Sequence, residues 1–114
     1  MEKSNVWEAE GESLGEGGEH KILLKSGEKV CALYYKIPPA KPGASVMDGA
    51  HAHAGEYVLY VMEGDIDVYV AGETETLKKG DLITIPANAV MGTKVLSSTP
   101  GEMLIIGGPH SLRS

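Results

Sequence analysis

The sequence predicts an all-β domain, either a sandwich or a barrel, and two observations support this. Fifteen glycines and six prolines divide the 114 residues into short segments. Almost no segment shows the i, i+3, i+4, i+7 apolar spacing of an amphipathic helix, whereas several are rich in Val, Ile, Leu and Tyr and end at Gly, Pro, Asn or Asp. A series of short strands of this kind is typical of a sandwich or a barrel.

The strands are predicted from apolar runs that lie between turn residues. In chain order they are His20 to Lys25, Lys29 to Ile37, Tyr57 to Glu63, Ile66 to Val70, Glu73 to Leu77, Leu82 to Ile85, Met91 to Leu96 and Met103 to Ile106. Glycine favours tight hairpins between them because it readily adopts a positive φ. The predicted turns are Ser26-Gly27, Glu63-Gly64-Asp65, Ala71-Gly72 and Lys79-Gly80-Asp81.

In the second predicted strand, side-chain alternation separates two faces. One face carries Cys31, Leu33, Tyr35 and Ile37. Because the charged Lys36 belongs to the opposite face, we expect the face of Cys31 to point inward. Cys31 is therefore predicted to be a core residue rather than a nucleophile.

Length and composition predict one small domain with an N-terminal arm. A chain of 114 residues buries enough surface for a single core. Residues 1–19 are predicted to be an arm that is flexible or docks on a partner, since Gly and Glu dominate it and Val6, Trp7 and Leu14 are its apolar residues. Residues 20–114 form the domain, and its longest connection is Pro38 to Ala50.

Charge and cysteine content exclude several classes of protein. The net charge of −6 and the scattered Lys and Arg argue against a nucleic-acid-binding surface. Cys31 is the only cysteine, which excludes an intrachain disulfide and Cys-rich zinc motifs. The first residues contain no apolar run, and no segment is long and apolar enough for a membrane helix. We therefore predict a cytoplasmic protein.

The segment His51-Ala52-His53 has the pattern most typical of a functional site. Side chains two residues apart in an extended chain lie on the same face, so both imidazoles can reach one ion or ligand. Imidazole nitrogen binds metals such as zinc, iron, nickel and copper. Without a metal, the same pair could donate hydrogen bonds or act as general acid and base. The other histidines, His20 and His110, are predicted to be exposed to solvent, with the alternative that either folds back as an extra ligand.

Around this pair, the chain resembles the cupin family over nearly all of Lys29 to Ile106. His51-Ala52-His53 is followed by Tyr57 and, after six further residues, by Gly64, which matches the spacing of the family's first motif. The segment Gly80-Asp81-Leu82-Ile83-Thr84-Ile85-Pro86 keeps the spacing of the second motif. The resemblance implies a small double-stranded β-helix, also called a jelly-roll barrel.

Two positions depart from the family's ligand pattern. The family's carboxylate ligand falls on Tyr57, and its last histidine ligand falls on Met91. The resemblance thus implies a metal site of His51, His53, Tyr57 and Met91 whose metal preference is altered. Alternatively, a local bulge turns Glu56 inward and completes a set of two histidines and one carboxylate. A third interpretation is that Tyr57 and Met91 simply pack the barrel interior.

The resemblance implies two alternative functions. In the first, His51 and His53 hold a divalent ion of iron, zinc, nickel, copper or manganese at the barrel mouth, and the domain acts on a keto acid, a sugar or an aromatic molecule, with Tyr57 as the candidate catalytic residue. In the second, the domain binds or senses a small ligand without metal or catalysis, in an apolar cavity that is closed by Pro38 to Ala50 and lined by Tyr57, Met91, Leu59 and Val61. Because small cupins pair through a sheet face or by exchanging N-terminal strands, the resemblance also implies a homodimer.

Overall fold

The structure, a computed structural model, describes residues 2–24 and 30–108. Within these ranges the chain forms nine strands. They are β1 Glu12–Gly15, β2 Gly18–Leu24, β3 Cys31–Ile37, β4 Tyr57–Glu63, β5 Ile66–Val70, β6 Glu73–Leu77, β7 Leu82–Ile85, β8 Met91–Val95 and β9 Gly101–Gly107. None of the described residues belongs to a helix long and apolar enough to cross a membrane.

The strands form two antiparallel sheets. The larger sheet has the order β1-β2-β3-β9-β4-β7, and the smaller sheet has the order β6-β5-β8. Strand β9 lies between β3 and β4, and the chain crosses from one sheet to the other between β4 and β5. This arrangement confirms the predicted all-β fold and is that of a jelly-roll barrel.

The structure confirms the predicted strands from Tyr57 onward to within two residues at their ends. Strand β2 begins two residues earlier than predicted. The predicted turn at 26–27, the adjoining strand ends at Lys25 and Lys29, and His110 lie outside the described residues. The sequence does not predict β1, because its four residues are all exposed and it forms by pairing with β2 rather than by contributing to the core.

The core lies between the two sheets. Alternate residues of β4 and β5 point into it, and Leu59, Val61 and Ile66 have no exposed surface. Full burial of one such side chain stabilises the fold by about 1.5–3 kcal/mol. Cys31 is also completely buried, as predicted from the sequence.

The outward face of β3 is buried as well, which differs from the sequence prediction. Tyr34 lies on that face but is only 3% exposed. Trp7 packs edge-on against Tyr34 with ring centroids 6.0 Å apart, and the Tyr34 hydroxyl donates a hydrogen bond to Glu102. Lys21 Nζ donates to the carbonyl oxygen of Val6 at 2.7 Å. The N-terminal arm therefore covers this part of the sheet, a contact that strand alternation does not reveal.

The connection from β3 to His51, residues 38–50, lies against β8. The Ala40 amide donates to the carbonyl oxygen of Val95 at 3.0 Å. Farther along, the carbonyl oxygen of Val46 comes so close to Gly92 that a Cβ atom on Gly92 would lie 2.0 Å from it. Glycine at position 92 therefore allows this connection to pass over β8 just before the chain reaches His51.

Candidate functional site

A cavity of about 110 Å³ lies between the two sheets. Its lining residues are Leu33, Tyr35, Ile37, His51, His53, Tyr57, Met91, Thr93, Met103 and Ile105. They come from β3, β4, β8, β9 and the segment that precedes β4. Because His51 is exposed to solvent, the cavity reaches the molecular surface at this residue.

Backbone pairing places His51 beside Met91. The amide of His51 donates to the carbonyl oxygen of Met91 at 2.9 Å, and the amide of Met91 donates to the carbonyl oxygen of His51 at 2.8 Å. Two residues that exchange both hydrogen bonds lie directly opposite each other, with their side chains on the same face. The isolated bridge therefore brings the Met91 thioether to the side on which the His51 imidazole lies.

The two imidazoles of the His51-Ala52-His53 segment lie together, as predicted from their spacing. Their ring centroids are 4.8 Å apart, and the rings are nearly perpendicular at 88°. Nδ1 of His51 is 3.0 Å from the carbonyl oxygen of Gly49. Since a carbonyl oxygen only accepts, this contact assigns the proton of neutral His51 to Nδ1 and leaves Nε2 as an acceptor.

His53 and Tyr57 form the buried part of the site. Their ring centroids are 5.2 Å apart, again with nearly perpendicular planes. Both His53 Nδ1 and the Tyr57 hydroxyl are buried, and neither has a hydrogen-bond partner within the described part of the chain. Buried polar groups are normally satisfied, so two adjacent unsatisfied atoms indicate a place where a ligand or water completes the hydrogen bonding.

A turn after β7 holds the backbone of His53. The amide of Asn88 donates to the carbonyl oxygen of His53 at 2.7 Å. Asn88 has a φ of 63°, a left-handed conformation that asparagine tolerates better than most residues. The short polar side chain at this position thus permits the turn that fixes His53 beside Tyr57.

Burial shifts the pKa values of the polar groups in the cavity. The pKa of His53 is lowered from its ordinary value of 6.5, mainly by burial and then by the neighbouring His51. Burial, and to a smaller extent Tyr35, raises the pKa of Tyr57 to about 12. Burial also raises the pKa of Tyr35. At neutral pH, His53 is therefore uncharged, and both tyrosines keep their hydroxyl protons.

The structure brings together most of the site residues that the sequence predicts. His51, His53, Tyr57 and Met91 all line the same cavity. Glu56 is exposed, precedes β4 and is not part of the lining. In this structure the phenol of Tyr57, rather than the carboxylate of Glu56, belongs to the site.

Leu59 and Val61, which the sequence predicts to line the cavity, are instead fully buried core residues outside the lining. Other lining residues are not predicted as site residues by the sequence. Tyr35 and Met103 are examples, although alternation in the second predicted strand places Tyr35 on the inward face. His20, which was predicted to be exposed, is half-buried because its ring stacks on Tyr35 with centroids 4.7 Å apart. Direct pairing of His20 with Tyr35 across β2 and β3 explains this contact.

The donor set does not match the iron, zinc or manganese site that the resemblance implies. Those ions take three or more nitrogen, carboxylate or thiolate ligands. No group of three or more His, Cys, Asp or Glu side chains that could hold a metal ion exists among the described residues. The remaining neighbours of the two imidazoles are a thioether and a phenol whose pKa is about 12. Such donors are poor ligands for hard divalent ions.

Comparisons with known proteins agree with the fold. Residues 40–107 match the Cupin domain family. The chain is similar to an RmlC-like cupin from Shewanella frigidimarina, with 25% identity over 96% of this chain and 95% of that chain and a TM-score of 0.73. It is also similar to KdgF from Halomonas sp., with 19% identity over 95% of this chain and 94% of that chain and a TM-score of 0.75. No curated protein has a sequence that matches the chain.

A further structural likeness is to the polyketide cyclase RemF from Streptomyces resistomycificus, with 18% identity, 95% coverage of this chain, 79% of that chain and a TM-score of 0.74. At such identities, the likeness shows the shared fold alone. The family match is more informative, since it spans more than half of the chain and includes His51, His53, Tyr57 and Met91. The sequence motifs, the jelly-roll topology and this match agree, and the chain therefore belongs to the cupin family.

Proposed function

We propose that this cupin binds a small organic molecule in its cavity. His53 and Tyr57 hold a polar group of that molecule, which enters through the opening at His51. The observation that carries the proposal is the pair of buried atoms, His53 Nδ1 and Tyr57 Oη, without a hydrogen-bond partner in the described ranges. A buried polar group left unsatisfied costs about 1–3 kcal/mol. A ligand that supplies both hydrogen bonds removes this cost and gains binding free energy.

The backbone around the site supports the proposal because it holds these side chains in place. His51 is fixed by its paired hydrogen bonds with Met91, and His53 is fixed by the Asn88 amide. Tyr57 begins β4, which pairs with β7 on one side and β9 on the other. Preorganised groups reduce the entropy lost on binding, as expected of a ligand pocket rather than of a surface cluster.

Ligand-observed NMR with a library of small organic fragments tests this proposal. We expect some fragments to bind the parent protein and to bind Tyr57→Phe at least about threefold more weakly, the effect of one lost hydrogen bond. Tyr69→Phe is the matched control, since alternation in β5 turns Tyr69 away from the core. Equal binding of every fragment to all three proteins would contradict the proposal.

Catalysis on the bound molecule is the finer part of the same proposal. Tyr57 keeps its proton at neutral pH and lies beside the uncharged imidazole of His53, so the two can serve as proton donor and acceptor. For a substrate found among the bound molecules, we expect Tyr57→Phe to lower turnover by about 10²- to 10⁴-fold and affinity by about tenfold at most. Binding to the parent without any turnover would support the alternative of a ligand sensor.

Metal binding by His51 and His53 is the second candidate function. It is favoured by the hydrogen bond from His51 to Gly49, which leaves Nε2 available, and by Met91 directly opposite. Among iron, zinc, nickel, copper and manganese, copper suits imidazole and thioether donors best. Elemental analysis of the parent and of the double variant His51→Ala/His53→Ala tests this, with about one copper per parent chain and none in the variant as the expected result. No metal in the parent after reconstitution with all five would contradict it.

We also propose that two copies of the chain pair through the outer face of the large sheet. The outer-face patch, defined as Val58, Tyr60, Leu82, Leu104 and Ile106, is continuous because these residues lie opposite one another across β7, β4 and β9. Leu82 is 62% exposed and Ile106 is 40% exposed. An apolar patch of this kind on a small protein is typical of an interaction surface, and a second copy offers the same self-complementary face.

A further inference from the structure

The cavity is lined by aromatic, aliphatic and thioether side chains and one threonine hydroxyl. None of its lining residues, within the part of the chain that the structure describes, is Lys, Arg, Asp or Glu. Its polar groups are two imidazoles, two phenols and the hydroxyl of Thr93, and the remaining lining is aliphatic or thioether. Burying an ionised group without an opposite charge is costly, so this lining disfavours a charged ligand.

The apolar part of the cavity extends away from His53 and Tyr57. Tyr57 lies opposite Gly107 in the register of β4 and β9. Ile105 and Met103 are two and four residues farther along β9, and four residues of a strand span about 13 Å. A ligand whose oxygen contacts Tyr57 therefore has its body against Ile105 and Met103, and the polar group nearest that end is the Tyr35 phenol, opposite Met103.

Size and overall charge restrict the ligand further. An apolar cavity of about 150 Å³ holds a benzene molecule. The cavity of about 110 Å³ is smaller than that, so it encloses a short chain or part of one small ring, and the rest of a ligand must project through the opening at His51. The net charge of −6 on the chain also disfavours the approach of an anion.

We propose that the ligand is a neutral, mainly apolar molecule that carries a hydroxyl or carbonyl oxygen, which takes the hydrogen bonds of His53 and Tyr57. This inference rests on the proposed binding function and narrows it. It favours a small phenol, alcohol or ketone over the keto acids and sugars that the family resemblance also permits. A carboxylate would find no Lys or Arg in the lining, and a sugar would bury several of its hydroxyls against aliphatic and thioether groups.

His53 and the Tyr57 hydroxyl can both bond to a neutral oxygen. An imidazole nitrogen either donates to a carbonyl oxygen or accepts from a hydroxyl, and the Tyr57 hydroxyl can donate in both cases. A hydroxyl or carbonyl oxygen therefore suits both side chains, whose ring centroids are 5.2 Å apart.

Four probes of similar size test the assignment: phenol, toluene, benzoate and ribose. Met91 and Met103 both line the cavity, so their methyl NMR signals report its occupancy during a titration. We expect phenol and toluene to shift both methyl signals, and benzoate and ribose to bind at least tenfold more weakly than phenol. The Tyr57→Phe substitution should weaken the binding of phenol about three- to tenfold, the effect of one hydrogen bond. It should change the affinity for toluene by less than about twofold, because toluene has no hydroxyl.

A control variant and the pattern of results separate this inference from the proposed binding function on which it rests. Tyr69→Phe should leave the affinity for phenol unchanged. Tighter binding of benzoate or ribose than of phenol, at the same methyl signals, would overturn the neutral-ligand assignment and leave the binding function in place. An equal loss of phenol and toluene affinity in Tyr57→Phe would overturn the hydrogen-bond assignment. If no probe shifts either methyl signal, both the inference and the proposed binding function are wrong.

Discussion

At the scale of single residues, two buried tyrosines differ in what their hydroxyl groups contact. The hydroxyl of Tyr34 donates to Glu102, whereas that of Tyr57 has no partner in the described residues. Without ligand, Tyr57→Phe should therefore leave the free energy of unfolding unchanged or raise it by up to about 1 kcal/mol. Tyr34→Phe should lower it by about 1.5–3 kcal/mol, because a hydrogen bond to a charged group is lost. Urea unfolding of both variants measures the difference, and equal losses would show that the Tyr57 hydroxyl is satisfied.

His53 should make stability depend on pH. Its pKa is lowered in the folded protein, so below about pH 6.5 the unfolded chain binds more protons than the folded one. Stability is therefore retained above the unfolded pKa and is lost as the pH falls from there through the folded pKa. We expect His53→Gln to lose less stability than the parent between pH 7.5 and pH 5 in urea unfolding. Between pH 7.5 and pH 9, where His53 does not titrate in either state, the free energies of unfolding of the two proteins should change in parallel. An identical loss of stability in both proteins between pH 7.5 and pH 5 would contradict the role of His53.

At the scale of structural elements, Gly92 allows residues 38–50 to lie over β8. A Cβ atom at this position would be 2.0 Å from the Val46 carbonyl oxygen, and a backbone atom cannot move as easily as a side-chain end. Gly92→Ala should therefore destabilise the fold by about 1–3 kcal/mol, as overpacking of a core does, and weaken ligand binding next to Met91. Gly72→Ala is the control, because its positive φ is strained but no neighbour lies within 4 Å. A smaller loss for Gly92→Ala than for Gly72→Ala would contradict the packing of residues 38–50.

Most elements could be predicted because their apolar alternation and their turn residues indicate the same strand boundaries. Strand β4, for example, alternates buried and half-buried residues between clear turn signals. Strand β1 could not be predicted, since all of its residues are exposed and only pairing with β2 defines it. The burial of Tyr34 likewise depends on Trp7, which is far from it in sequence.

The candidate site could be predicted in part, for a related physical reason. The His51-Ala52-His53 spacing is local and specifies one face, and the family motif adds Tyr57 and Met91. The contributions of Tyr35 and Met103 depend on the register of β3 and β9, where these two residues lie opposite each other. Register between distant strands is set by the whole fold rather than by a local pattern.

At the scale of the whole molecule, the outer-face patch predicts that the protein is a dimer in solution. A contiguous apolar surface on one sheet face favours association, and Leu82 is its most exposed member. Replacing Leu82 with Glu places two like charges near each other in a symmetric interface, where each would lose hydration. We expect light scattering after size exclusion to give twice the chain mass for the parent and the chain mass for Leu82→Glu.

Thr74→Glu on β6 is the matched control, because it adds the same charge at an exposed position in the other sheet. It should remain dimeric, and circular dichroism should show that both variants keep the β-sheet fold. The cavity lies between the sheets, so a monomeric Leu82→Glu protein should bind phenol as the parent does. A monomeric parent, or a Leu82→Glu variant that remains a dimer, would show that this face is not the interface. Loss of phenol binding in a folded monomer would instead mean that the partner helps to hold β4 and β9, which carry the site and the patch on opposite faces.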